Sequence, residues 1–163
     1  MKHHIYKVIS AILAVLFILI IATGCESYSG PYIFWRQDRS NVEKVEICSY
    51  DRQTGTRTVI AELPDEDVEN ILDDISSLQC LEWGPGDHPR EYGILLVCIT
   101  YLDGEIELIG YINIGYITPE GVHGLTPYFI YDGREFYDLI CRYVDESLLP
   151  DMSEEFPQWY PQT

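Results

Sequence analysis

Bases are scarce in this chain: ten Lys and Arg stand against 27 Asp and Glu over 163 residues, a formal charge of −17. Such a polyanion is repelled by nucleic acid and by anionic lipid head groups, which argues against both as direct partners. Histidine is equally sparse, and two of the four lie in the first four residues. The other two, His88 and His123, sit in separate glycine- and proline-rich stretches. No H-E-x-x-H pair places histidines on one helix face for zinc, and G-x-S-x-G, G-x-G-x-x-G, S-x-x-K and the phosphate-binding P-loop are all missing. The calcium-loop pattern is absent too, so the Asp-Gly pairs read first as turns. No C-x-x-C occurs among Cys25, Cys48, Cys80, Cys98 and Cys141, which removes the usual signature of redox work or structural zinc. Without these motifs the expectation is a protein that is not an enzyme and holds no metal or cofactor.

Long apolar runs are also rare, with one exception at the start. Residues 1–7 carry Lys2 and Lys7 and no acid, and residues 8–21 are apolar apart from Ser10. Fourteen helical residues reach roughly 21 Å at 1.5 Å each, short of the ~30 Å hydrocarbon core that a spanning helix crosses. A basic start and a short apolar stretch make a signal-peptide layout. The run that follows, Ile21-Ala22-Thr23-Gly24-Cys25, resembles the lipobox of bacterial lipoproteins. That resemblance implies cleavage before Cys25 and a diacylglyceryl group on its sulfur, with the protein on the outer face of the cytoplasmic membrane. Two acyl chains at ~0.8 kcal/mol per buried CH₂ hold such a protein stably. Removing residues 1–24 takes two lysines and no carboxylate, leaving eight Lys and Arg against 27 Asp and Glu, a charge of −19.

The expected organisation is a signal peptide over 1–24, a lipidated start and short linker over 25–41, a globular domain over 42–147 and an aromatic, proline-spaced tail over 148–163. No internal repeat is visible. Within the domain, residues 42–50 read as a strand with Val45 and Ile47 on one face and Lys44, Glu46 and Cys48 on the other. Turn residues from Asp51 to Gly55 lead into a returning strand over 56–62, with Val59, Ala61 and Leu63 in register. Pro64 with Asp65, Glu66 and Asp67 opens a helix of about four turns, and Val68, Ile71, Leu72, Ile75 and Leu78 form its apolar stripe. Its acids Glu69, Asp73 and Asp74 read as a solvated face. Residues 94–101 are apolar on both faces, which marks a central strand. Asp103-Gly104 predicts a type I′ hairpin, after which Glu105 and Glu107 should face water. A short strand over 115–118 and another over 128–131 follow. Asp132 and Glu135 form a capping-box pattern for a helix reaching about residue 145. This order predicts an α+β fold, an antiparallel sheet of about five strands with two helices on one face.

Four cysteines besides Cys25 allow three pairings, and the spacing selects none of them. Burial as small apolar residues and at least one bridge both remain open. The functional lead is aromatic. Thirteen tyrosines and three tryptophans, among them Tyr92, Tyr111, Tyr116, Tyr128, Trp35 and Trp83, offer surfaces for a sugar ring or a protein partner. The sequence also resembles small Firmicutes lipoproteins of unknown function, in 41–47, 100–105 and 135–140, a resemblance that implies a cell-surface location and no mechanism. The expected function is a membrane-anchored, non-enzymatic binding module for another exported protein. The alternative is a receptor for a sugar, peptide or cation, with Trp83, His88 and His123 converging on one pocket.

Overall fold

The computed structural model describes residues 29–32, 34, 39–82 and 92–153. The expected signal peptide, Cys25, Trp35, Trp83, His88 and most of the expected tail lie outside the described residues. No described helix is long and apolar enough to cross a membrane.

The architecture is α+β, with antiparallel pairing throughout and two helices, but the strands form two sheets rather than one of five. The larger sheet has the order β3-β2-β5-β6-β7-β8, built from β2 (Val42–Asp51), β3 (Thr56–Glu62), β5 (Leu95–Tyr101), β6 (Ile106–Gly110), β7 (Ile114–Ile117) and β8 (His123–Leu125). The smaller has the order β1-β4-β9, from β1 (Ser29–Pro31), β4 (Gln79–Glu82) and β9 (Tyr128–Ile130). Strands of three or four residues bury too few side chains to leave a period-2 pattern, which is why β1, β4 and β8 escape the sequence reading.

Helix α1 (Asp65–Ser77) carries Asp65, Glu66 and Asp67 in its first turn, where acids complement the helix dipole, and buries Ile71, Leu72 and Ile75 as expected. Pro64 precedes the first helical residue instead of occupying it. The acidic face is largely solvated as expected, with Glu69 and Asp73 exposed and Asp74 half-buried. Asp73 pairs with Arg39 at 2.5 Å, and Asp74 accepts from Arg142 at 3.1 Å and from Tyr143 Oη at 2.8 Å, tying α1 to the turn that follows the second helix. That second helix, α2 (Gly133–Ile140), is capped by Asp132, whose Oδ1 accepts from the backbone N–H of Arg134 and Glu135. It ends five residues early, because Arg142 and Tyr143 donate to carbonyls three residues back and tighten the last turn. Phe136, Leu139 and Ile140 of α2 join α1 and one face of the larger sheet in a single core, with Val45, Ile47, Val97, Ile99 and Ile109.

Two strand expectations change for a physical reason. A bulge between Ile47 and Cys48 places Ala61 opposite Ile47 and Val59 opposite Cys48, so Ala61 and Val59 point to opposite faces and Val59 is 52% exposed. The β5–β6 turn is not type I′, since that geometry needs positive φ at two adjacent residues and among the described residues only glycines have it. Gly104 N–H donates to the Tyr101 carbonyl and Gly104 takes φ +85°, a tight turn closed by a glycine bulge.

Tyr92 lies against the second face of the larger sheet, over glycines of β6 and β7. A Cβ at Gly115 would overlap its hydroxyl, and one at Gly110 would overlap its carbonyl oxygen. Beneath it a smaller cluster gathers Cys48, Leu96, Cys98 and Leu108. Both faces of β5 are therefore covered, in line with its unbroken apolar run.

Candidate functional site

Glu107 is the chemical centre of the described residues. The sequence reading turns it to water, yet it is 0% exposed. The cause is topological: β6 is an interior strand, so Glu107 has Ile99 of β5 on one side and Tyr116 of β7 on the other, on the helix-covered face. A buried carboxylate is costly unless donors surround it. Two phenols fill that role, with Tyr101 Oη donating to Oε2 at 2.7 Å and Tyr32 Oη donating to Oε1. Hydrogen bonds to a charged group contribute about 1.5–3 kcal/mol each. Tyr101 comes from the end of β5. Tyr32 follows β1, where its backbone N–H donates to the Leu78 carbonyl at 2.9 Å and its ring meets Phe34 edge-on at 4.9 Å. Burial first, then the adjacent Glu107 charge, hold the Tyr32 phenol well above its ordinary pKa, so it stays a donor.

Above the carboxylate opens a cavity of about 300 Å³, at the low end of the range for small-ligand sites. Both sheets contribute walls. Ile114 and Tyr116 come from β7, Leu125 from β8, and Tyr128 from β9, with Tyr32 and Glu107 at the base and the Thr126-Pro127 corner between the sheets. That corner is fixed by Thr126, whose N–H and hydroxyl both donate to the Ile114 carbonyl, at 2.8 and 3.0 Å. Tyr116 reaches the cavity by lying over Gly124 of the neighbouring strand, where a Cβ would come within 2.5 Å of its hydroxyl oxygen. The carboxylate has no exposed surface and both its oxygens are engaged by phenols, so a ligand's O–H or N–H reaches it only by displacing one of them, while half-buried Tyr116 and Tyr128 present aromatic faces along the sides. A ligand with an O–H or N–H donor and a flat or apolar flank suits it. Comparison of the chain with protein-family models, with curated proteins and with solved structures finds no match.

Of the residues singled out in the sequence for a pocket, only His123 is described, and it stands exposed on β8 opposite Ile117 and is not among the residues lining the cavity. Trp83 and His88 lie outside the described residues. From the aromatic set, Tyr116 and Tyr128 do line the cavity, whereas Tyr92 and Tyr111 are buried as packing. Sequence reasoning missed Glu107, Tyr32 and Tyr101. The available signal was a single acid inside the otherwise apolar stretch Ile106, Leu108, Ile109, next to a chain rich in tyrosine. No group of three or more His, Cys, Asp or Glu among the described residues is arranged to hold a metal ion.

Proposed function

We propose that the protein is a lipid-anchored, non-enzymatic binding module on the outer face of the bacterial cytoplasmic membrane, and that the cavity over Glu107 seats a small ligand. The anchor rests on the signal-peptide layout and the lipobox-like run ending at Cys25. The ligand reading is carried by one observation, a fully buried carboxylate held by two phenols at the base of an aromatic cavity. Placing a charge there costs stability that an apolar residue would not, and a site that must recognise a donor-bearing molecule gives a reason to retain it. The chemistry common to a sugar and a small amine, a donor beside an apolar flank, is what the cavity complements. A strong negative charge favours the amine further.

A protein partner is the second reading. Leu102 and Val122 are 66% and 59% exposed, and a Cβ placed at Gly104 would lie 3.9 Å from Pro119 Cβ, which makes the two loop tips neighbours. The two tips thus set Leu102 and Val122 at one end of the sheet, beside the exposed acids Asp103 and Glu120.

The test is a thermal melt of wild type and Glu107→Gln against panels of monosaccharides and of small primary amines. A ligand binding only the native state adds about 2.7 kcal/mol at 100 times its dissociation constant. The expected result is stabilisation of the wild type by members of one panel and its loss in Glu107→Gln. Amines alone would identify a cation site and sugars alone a polyol site. Equal responses in both proteins, or none in either, would remove the cavity from the account.

A further inference from the structure

The second face of the larger sheet sets two thiols diagonally across neighbouring strands, in one buried cluster. Cys48 of β2 is opposite Leu96 of β5, and Cys98 stands two residues on from Leu96, so both side chains point to the same face. They share the small cluster under Tyr92, at 2% and 0% exposure. A Cys48 thiol directed at the Cys98 sulfur would hold Cys98 below and Cys48 above the ordinary thiol range. Arg57 Nη1 approaches the Cys98 sulfur at 3.6 Å. Cys80 and Cys141 pack instead with the larger core.

We propose that Cys48 and Cys98 are a cross-strand dithiol that closes to a reversible disulfide, with a small-molecule or protein disulfide as the oxidant. The Cys98 thiolate attacks one sulfur of that disulfide, its S–S bond breaks, and one half leaves as a thiolate. Cys48, losing its proton to solvent, then attacks the mixed disulfide on Cys98 and expels the second half. The two cysteines give up two protons and two electrons, and the oxidant becomes two thiols. Arg57 favours the anionic sulfur of Cys98 as attacker and, on reduction, as leaving group. Diagonal neighbours in an antiparallel pair have Cα atoms ~7–8 Å apart, beyond the 4.4–6.8 Å typical of a bridge. Closure must therefore draw β2 and β5 together, and a strained bond of this kind is easily reduced. Because both sulfurs are buried, exchange requires the Tyr92 cluster to open or proceeds while the sheet is still forming.

The experiment refolds the reduced full chain in glutathione buffers and maps its cysteines by mass spectrometry without reduction. In excess oxidised glutathione the peptides holding Cys48 and Cys98 should be joined, lighter together by two hydrogens, and excess reduced glutathione should separate them. Cys48→Ala should leave glutathione attached to Cys98. Arg57→Gln should slow closure severalfold at neutral pH and move its rate profile to higher pH. Free thiols at both positions after oxidative refolding, or a bridge between Cys80 and Cys141 instead, would overturn the proposal, and the wild-type map decides it even where a variant does not fold. An unchanged pH profile in Arg57→Gln would remove Arg57 from the step.

Discussion

Tyr101→Phe isolates the interaction on which the cavity is built. The substitution deletes one hydroxyl, at a ring 1% exposed, and leaves the ring's packing against the core intact, so no appreciable cavity is made. What is lost is an O–H donor 2.7 Å from Glu107 Oε2, itself in a residue with no exposure. Hydrogen bonds to charged groups contribute about 1.5–3 kcal/mol against roughly 0.5–1.5 kcal/mol for neutral ones. Tyr101→Phe should therefore destabilise the wild type by about 1.5–3 kcal/mol. With Glu107→Gln in place the same change should cost only about 0.5–1.5 kcal/mol, because the acceptor is neutral. The difference is the coupling between phenol and carboxylate, and a double-mutant cycle by urea unfolding, with slopes checked for constancy, measures it. Equal costs in both backgrounds, or a single-mutant effect under about 0.5 kcal/mol, the size of an ordinary surface change, would refute the idea that Glu107 is held as an anion by its phenols.

Other outcomes follow from the same geometry. Gly115→Ala should destabilise by about 1–3 kcal/mol in a thermal melt, since the new Cβ would overlap the Tyr92 hydroxyl and come within 2.5 Å of the Gly124 carbonyl, part of the backbone; an unchanged midpoint would show that Tyr92 does not lie over β7. Gly104→Val puts a β-branched residue at φ +85° and should cost about 1–3 kcal/mol, measured in the same way. At high pH, burial and then the hydrogen bond to Asp74 push the Tyr143 phenol from 10.0 up to about 12. Its contribution is complete below pH 10, where both states are protonated, and is lost as the pH climbs toward 12 and the unfolded chain ionises first. Tyr143→Phe should flatten that alkaline fall in stability, and an unaltered profile would assign it to other groups. Cys25→Ser should release the protein from the membrane fraction or block its maturation, and a wild type never labelled by a fatty-acid analogue would remove the anchor.

The elements that bury a full face were legible in the sequence. The stripe from Val68 to Leu78 placed α1, the two-sided apolar run placed β5, and Asp132 placed the start of α2, because each is written in periodicity or in a cap. The second sheet was not, since its strands are short and depend on long-range pairing such as Gly30 with Cys80 and Cys80 with Ile130. Glu107 was misread for a related reason. Alternation assigns an acid to solvent only when one face of the strand is wet, and two further strands beyond β6 together with a helix layer abolish that condition. Tyr116 and Tyr128 were visible as aromatic candidates, but nothing local to them announces that they converge on a carboxylate from β6. The diagonal placement of Cys48 and Cys98 likewise depends on the β2–β5 register, which no spacing along the chain encodes.

An NMR titration of the wild-type domain with a ligand drawn from the amine or sugar panel tests the central claim most directly. Saturable shifts are expected at Glu107, Tyr116, Thr126 and Tyr128, the residues around the cavity, and should disappear in Glu107→Gln. Shifts confined to Leu102 and Val122 at the loop tips, or shifts at the cavity that persist unchanged in Glu107→Gln, would contradict it.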